Sequence, residues 1–119
     1  MRTIIISVLI FSFFITGCNN RENSSSDKIV AVSSINIISD IVKNIGGDKV
    51  ESISICGVGI DPHTYHPKPE DIRTISQSDI TFINGFTLEH WMEEIIDNAG
   101  GERQKIQVTE GLSTLTDEK

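Results

Sequence analysis

The sequence predicts an α/β fold built on a parallel sheet, and two observations lead to it. Short β-branched runs alternate with segments of helical periodicity along most of the chain. The second of those runs leads into a loop dense in glycine, proline and histidine, Gly57-Val-Gly-Ile-Asp-Pro-His-Thr-Tyr-His-Pro-Lys-Pro69. An apolar N-terminal stretch ending at Cys18 stands apart from everything that follows. Alternation of strand and helix is the pattern of parallel sheets with helices on their faces.

The first run, Lys28-Ile-Val-Ala-Val-Ser33, reads as a strand buried on both faces. Ser34 or Asn36 can cap the helix that follows, whose Ile37, Ile38, Ile41, Val42 and Ile45 share one face. Gly46-Gly47 is its natural stop. Val50–Cys56 is the second strand. After the loop, Pro69-Glu-Asp71 opens a second helix, with a proline in the first turn and acids at the positive end of the helix dipole. It carries Ile72 and Ile75 inward and stops near Ser78-Asp79. Ile80–Ile83 is the third strand and Asn84-Gly85 a turn. Leu88–Ala99 forms a third helix on Trp91, Met92, Ile95 and Ile96, closed by Gly100-Gly101, and Lys105–Val108 is the fourth strand.

With 119 residues the chain is long enough for one small domain. A formal charge of −7 argues against nucleic acid and anionic membrane surfaces as partners. The chain holds two cysteines, Cys18 and Cys56, and the first has a use other than a disulfide. Met1-Arg2 is a minimal positive n-region, and Thr3–Ile15 is a nearly continuous apolar run of signal-peptide length. Ile15-Thr-Gly-Cys18 resembles the lipobox of bacterial lipoproteins, in which the peptide is cut before a cysteine that is then lipidated. Asn19–Asp27 is polar and serine-rich, the composition of a flexible tether. The expected organisation is a lipoprotein signal peptide over 1–17, a lipidated tether over 18–27 and an α/β lobe over 28–119. The mature protein is then extracytoplasmic, held to the bacterial cell membrane by acyl chains. Cys56, in an apolar strand, reads as a buried structural thiol.

The loop carries the candidate chemistry. Gly57 and Gly59 allow sharp turning, and Pro62, Pro67 and Pro69 stiffen the backbone. Parallel sheets place their ligands at the carboxyl ends of strands, where this loop begins. Neutral imidazoles such as His63 and His66 bind divalent transition metals, but two loop histidines at this spacing also fit solvated side chains. Asp61 suits an Asx-type turn cap, and Tyr65 suits packing over the loop. His90 and the acids Glu93, Glu94 and Asp97 read as helix surface. No Gly-x-Ser-x-Gly elbow, P-loop or His-Glu-x-x-His motif occurs, so an enzyme is not expected.

Taken together, the loop through Ile72, Ser76-Gln-Ser-Asp-Ile-Thr-Phe-Ile-Asn-Gly85 and Phe86-Thr-Leu-Glu-His-Trp91 closely resemble the metal-binding lipoproteins of zinc and manganese ABC importers. The resemblance runs from about Ile29 to Leu112. It implies a two-lobe α/β protein that captures Zn²⁺ or Mn²⁺ between its lobes and delivers it to a membrane ABC permease. Several such proteins have also been called adhesins, so a surface adhesin or interaction lobe is the alternative. By the same resemblance His63 matches the family's first metal ligand, Asp61 and Pro62 shape its loop, and Asn84, Gly85, Leu88, Glu89 and Trp91 match structural signature positions. His66 stands where the family more often has an acid, so the resemblance carries no ligand status onto it, and it stays a possible ligand only as a second imidazole of the loop. Family proteins are much longer, and their other ligands come later. The expectation is therefore an N-terminal lobe, a parallel four-stranded sheet flanked by helices, with the second lobe absent. Such a piece would bind a divalent ion poorly alone and would expose a sheet edge and a lobe interface.

Overall fold

A computed structural model describes residues 28–115. Strand β1 spans Ile29–Ile35, helix α1 Asn36–Gly46, and one 3₁₀ turn Gly47–Lys49 leads into β2, Val50–Cys56. Helix α2 spans Pro69–Ser76, β3 Ile80–Ile83, α3 Trp91–Ala99 and β4 Gln104–Gln107. All three strand pairings are parallel, in the order β2-β1-β3-β4. The α/β class, the four strands and their parallel arrangement agree with the reading from sequence.

Parallel pairing sends every strand's carboxyl end to one edge. Ser33 lies beside Ser54 on one side and Phe82 on the other, and Phe82 beside Ile106. The loops after β2 and β3 therefore share that edge. Alternation along β3 sets the two faces of the sheet: Ile83 joins the core with Val32, Ile55, Cys56, Ile75, Trp91, Met92 and Ile95. That core lies between the sheet and α2 and α3, which pack on each other. Phe82 points to the other face, beside α1.

Several boundaries differ from expectation for physical reasons. β1 continues two residues beyond Ser33, because Ile35 still pairs with Cys56. Neither Ser34 nor Asn36 caps α1: the residue before the helix is Ile35, and no side chain bonds the helix start. The Ser34 hydroxyl is committed elsewhere, to the carboxyl of Glu89. α3 begins at Trp91, after a turn over Leu88–His90. The isoleucine stripe of α1 is only partly used. Ile38 is buried, whereas Ile37, Ile41 and Ile45 are exposed. In α2 the expected cap is present, and Asp71 supplies it by accepting the backbone N–H of Lys68 at 2.7 Å.

Candidate functional site

The loop Gly57–Lys68 leaves the carboxyl end of β2 and is held at both of its shoulders. Its first turn closes through Ile60 N–H donating to the Gly57 carbonyl at 3.3 Å, with Gly59 at φ +79°. The second is an Asx turn. The His63 backbone N–H donates to Asp61 Oδ1 at 2.9 Å, and Thr64 N–H to the Asp61 carbonyl at 3.3 Å. Asp61 thus shapes the loop, as its position before a proline suggested.

Two long-range ties fix the loop to the helices. Trp91 Nε1 donates to the Pro62 carbonyl at 2.7 Å. The Tyr65 ring lies 5.0 Å from the Trp91 ring, tilted by 58°, a geometry that aromatic pairs favour. The Tyr65 hydroxyl donates at 2.8 Å to Asp71 Oδ2, the same oxygen that caps α2. Burial, and then the hydrogen bond and charge of Asp71, push the Tyr65 hydroxyl well above the usual phenol range. His63 sits between these anchors with an exposed side chain, so a rigid segment presents an imidazole to solvent at the sheet's carboxyl edge. His66 is also exposed, and its Nδ1 lies 2.8 Å from the Thr64 carbonyl. A carbonyl only accepts, so that nitrogen carries the proton and Nε2 is the one left to bind.

The β3–α3 turn completes the edge. Glu89 is buried, and its Oε1 accepts from the Ser34 hydroxyl at 2.8 Å, from the Asn84 N–H and from the Gly85 N–H at 3.4 Å. One carboxyl oxygen therefore ties the end of β1 to the end of β3. Gly85, at φ +92°, packs so closely on Gln107 of β4 that a Cβ would come within 2.5 Å of its side chain. Phe86 and Thr87 follow at φ +52° and +62°, a left-handed conformation costly for such residues. These residues, with His90 and Glu93, line a cavity of about 210 Å³. His90, Glu93, Glu94 and Asp97 are exposed. Sequence reasoning missed the Ser34–Glu89 bond and the Trp91–Pro62 bond. The one available signal was Glu89 between Leu88 and the apolar pair Trp91-Met92, which suits a satisfied buried acid as well as a surface one.

Cys56 is buried at the end of β2. Burial first, then the nearby charges of Asp71, Glu89 and Asp61, push its thiol from 9.0 up to about 11. A raised folded value means that the neutral thiol contributes its full stability below the unfolded value, and that this is lost as pH rises toward the folded one. Stability to urea is thus expected to fall between pH 9.0 and about 11, and to fall less in Cys56→Ala. An equal fall in both chains would show that Cys56 is not the group responsible. Cys18 lies outside the described residues.

Among the described residues, no group of three or more His, Cys, Asp or Glu side chains stands close enough to hold a metal ion. What the edge offers is a single rigidly presented histidine with a second imidazole close by in sequence.

A parallel α/β lobe with a histidine loop at its carboxyl edge has the open-sheet architecture, in which that edge is the usual place for a ligand. The chain matches, over residues 31–119, the family described as zinc-uptake complex component A, periplasmic, and it belongs to that family. It is 42% identical over 106 residues to the metal ABC transporter substrate-binding lipoprotein SsaB of Streptococcus sanguinis, covering 82% of this chain and 34% of that protein. It is 43% identical over 95 residues to the manganese ABC transporter substrate-binding lipoprotein PsaA of Streptococcus pneumoniae, covering 76% of this chain and 31% of the relative. The Mn-bound periplasmic metal binding protein of Candidatus Liberibacter asiaticus superimposes with a TM-score of 0.70 at 30% identity, over 76% of this chain and 35% of that one. The chain thus spans about a third of the length of the curated relatives it matches.

Proposed function

We propose that this chain serves metal-ion capture for an ABC importer, as the N-terminal lobe of a membrane-anchored solute-binding lipoprotein, and that His63 is its metal ligand. The observation that carries the reading is the anchoring of the loop. Pro62 is bonded to Trp91 and Tyr65 to Asp71, so His63 is presented without a large ordering cost on binding. The cargo is Zn²⁺ or Mn²⁺, in keeping with relatives named for manganese and for zinc. The partner is the importer's permease. The chain has no catalytic role, in keeping with relatives that are named as substrate-binding proteins.

One imidazole is a poor site alone, because zinc and its neighbours are normally held by several protein ligands. The chain by itself is therefore expected to bind Zn²⁺ and Mn²⁺ weakly, with the remaining ligands supplied by further polypeptide. Calorimetry on the mature chain carrying Cys18→Ala should show weak binding that disappears in His63→Ala, survives in His90→Ala and is at most weakened in His66→Ala. Binding unchanged by His63→Ala would remove the central residue from this account.

Lipidation of Cys18 and the tether over 18–27 complete the proposal. The chain should fractionate with membranes, and Cys18→Ala should release it or leave it uncleaved. Membrane retention of a processed Cys18→Ala chain would contradict the anchor.

A further inference from the structure

Strand β2 is paired on one side only, with β1, and forms an outer edge of the sheet. Among the described residues, no backbone hydrogen bond reaches it from outside the sheet. The one side-chain bond to its backbone is local: the Ser54 hydroxyl donates to the Cys56 carbonyl at 2.6 Å. A row of unpaired N–H and C=O groups is a template for another strand, and natural edges blunt it with lysine, proline, a bulge or a short span. β2 uses none of these. It is seven residues long, Val-Glu-Ser-Ile-Ser-Ile-Cys, and keeps a constant register with β1, from Ile29 beside Val50 to Ile35 beside Cys56. The opposite edge is blunted. β4 has four residues and carries Lys105, whose ammonium pairs with Glu93 at 3.1 Å.

The strand is also complementary to itself. Antiparallel pairing of two copies about a twofold axis engages the whole strand only when its middle residue, Ile53, sits on the axis. Ile53 then meets the partner's Ile53, Ser52 the partner's Ser54, and Glu51, the strand's one charged residue, the partner's Ile55. Apolar and hydroxyl pairs face each other across this register, and no like charges do. The flank of the edge fits the same occupant. Ser52 and Ser54 line a cavity of about 450 Å³ between β2 and α1. Its rim holds Ile37, 63% exposed, and Val58, 88% exposed, with Asp40 and Lys43 of opposite charge. Paired strands lie about 4.8 Å apart, so a copy docked on β2 lies over this rim and covers both apolar side chains.

We propose that β2 is the pairing edge for a second copy of this chain, joining two four-stranded sheets into one through an isologous antiparallel contact. Antiparallel pairing sends the two histidine loops to opposite ends, so both carboxyl edges stay open. The contact requires no metal and stands apart from the reading of His63.

The test follows the full chain in mild detergent by sedimentation equilibrium and hydrogen exchange across a dilution series. The expected result is a dimer in which β2 amides exchange more slowly as concentration rises. Ile37→Lys and Ser54→Lys should each weaken it at least about tenfold, since lysine at an edge opposes pairing. Ile37 is exposed, so its variant should keep the circular dichroism of the parent. A monomer throughout a series reaching about 100 μM, well within the range of ordinary association, would overturn the proposal. So would a dimer indifferent to Ile37→Lys, or one whose concentration-dependent protection falls on β4, or on Ile41, Ile45 and Val108, with β2 unchanged.

Discussion

Trp91→Ala is expected to lower the unfolding free energy by about 3–5 kcal/mol, the usual cost of emptying a large aromatic site. Trp91 is 5% exposed and sits in the core with Met92, Ile95 and Ile75. Its loss also removes the ring under Tyr65 and the donor to the Pro62 carbonyl. A small domain has only about 5–15 kcal/mol in total, so urea denaturation should show the variant near the limit of folding. Trp91→Phe separates the two roles. It refills most of the core but lacks the N–H, and should cost less overall while still accelerating hydrogen exchange at His63 and Thr64. Equal loop exchange in Trp91→Phe and the parent would mean that the indole bond does not hold the loop.

Glu89→Ala is the second large effect, at about 3 kcal/mol or more. The loss arises because the Ser34 hydroxyl and the Asn84 and Gly85 N–H groups are left unpaired around a buried gap. Glu89→Gln keeps an acceptor oxygen in nearly the same volume and should recover a large part of it. The second carboxyl oxygen, Oε2, is buried with no hydrogen-bond partner among the described residues, so replacing it removes no hydrogen bond. If Glu89→Ala unfolds at the same urea concentration as the parent, the tie between β1 and β3 contributes little.

Much of this architecture was legible in the sequence, and the illegible parts have a common cause. Strands β1 to β4 could be placed because β-branched runs alternate with helical stripes, which needs only local pattern. The loop's Asx turn at Asp61 was legible for the same reason, since Asp-Pro-His encodes it within three residues. Ser34 misled because a serine before a helical stripe looks like a cap, while its true partner Glu89 lies 55 residues away. Trp91 was legible as a core residue, but its bond to Pro62 spans 29 positions and leaves no trace in periodicity. The α1 stripe was read as one helical face. Periodicity shows that Ile41 and Ile45 share a face, not that the structure supplies something to cover it. The histidine loop was the most legible candidate feature, because its glycines, prolines and Asp61 shape the backbone through contacts local to the loop.

Paramagnetic broadening by substoichiometric Mn²⁺, read in proton–nitrogen spectra of the mature chain carrying Cys18→Ala, shows where a divalent ion sits even when it binds weakly. The His63 imidazole and the amides from Asp61 to Tyr65 should broaden first, and His63→Ala should restore them. Early broadening of Glu93, Glu94 and Asp97 on α3, with the loop untouched, would mean that the ion samples an acidic helix face and that His63 is no ligand.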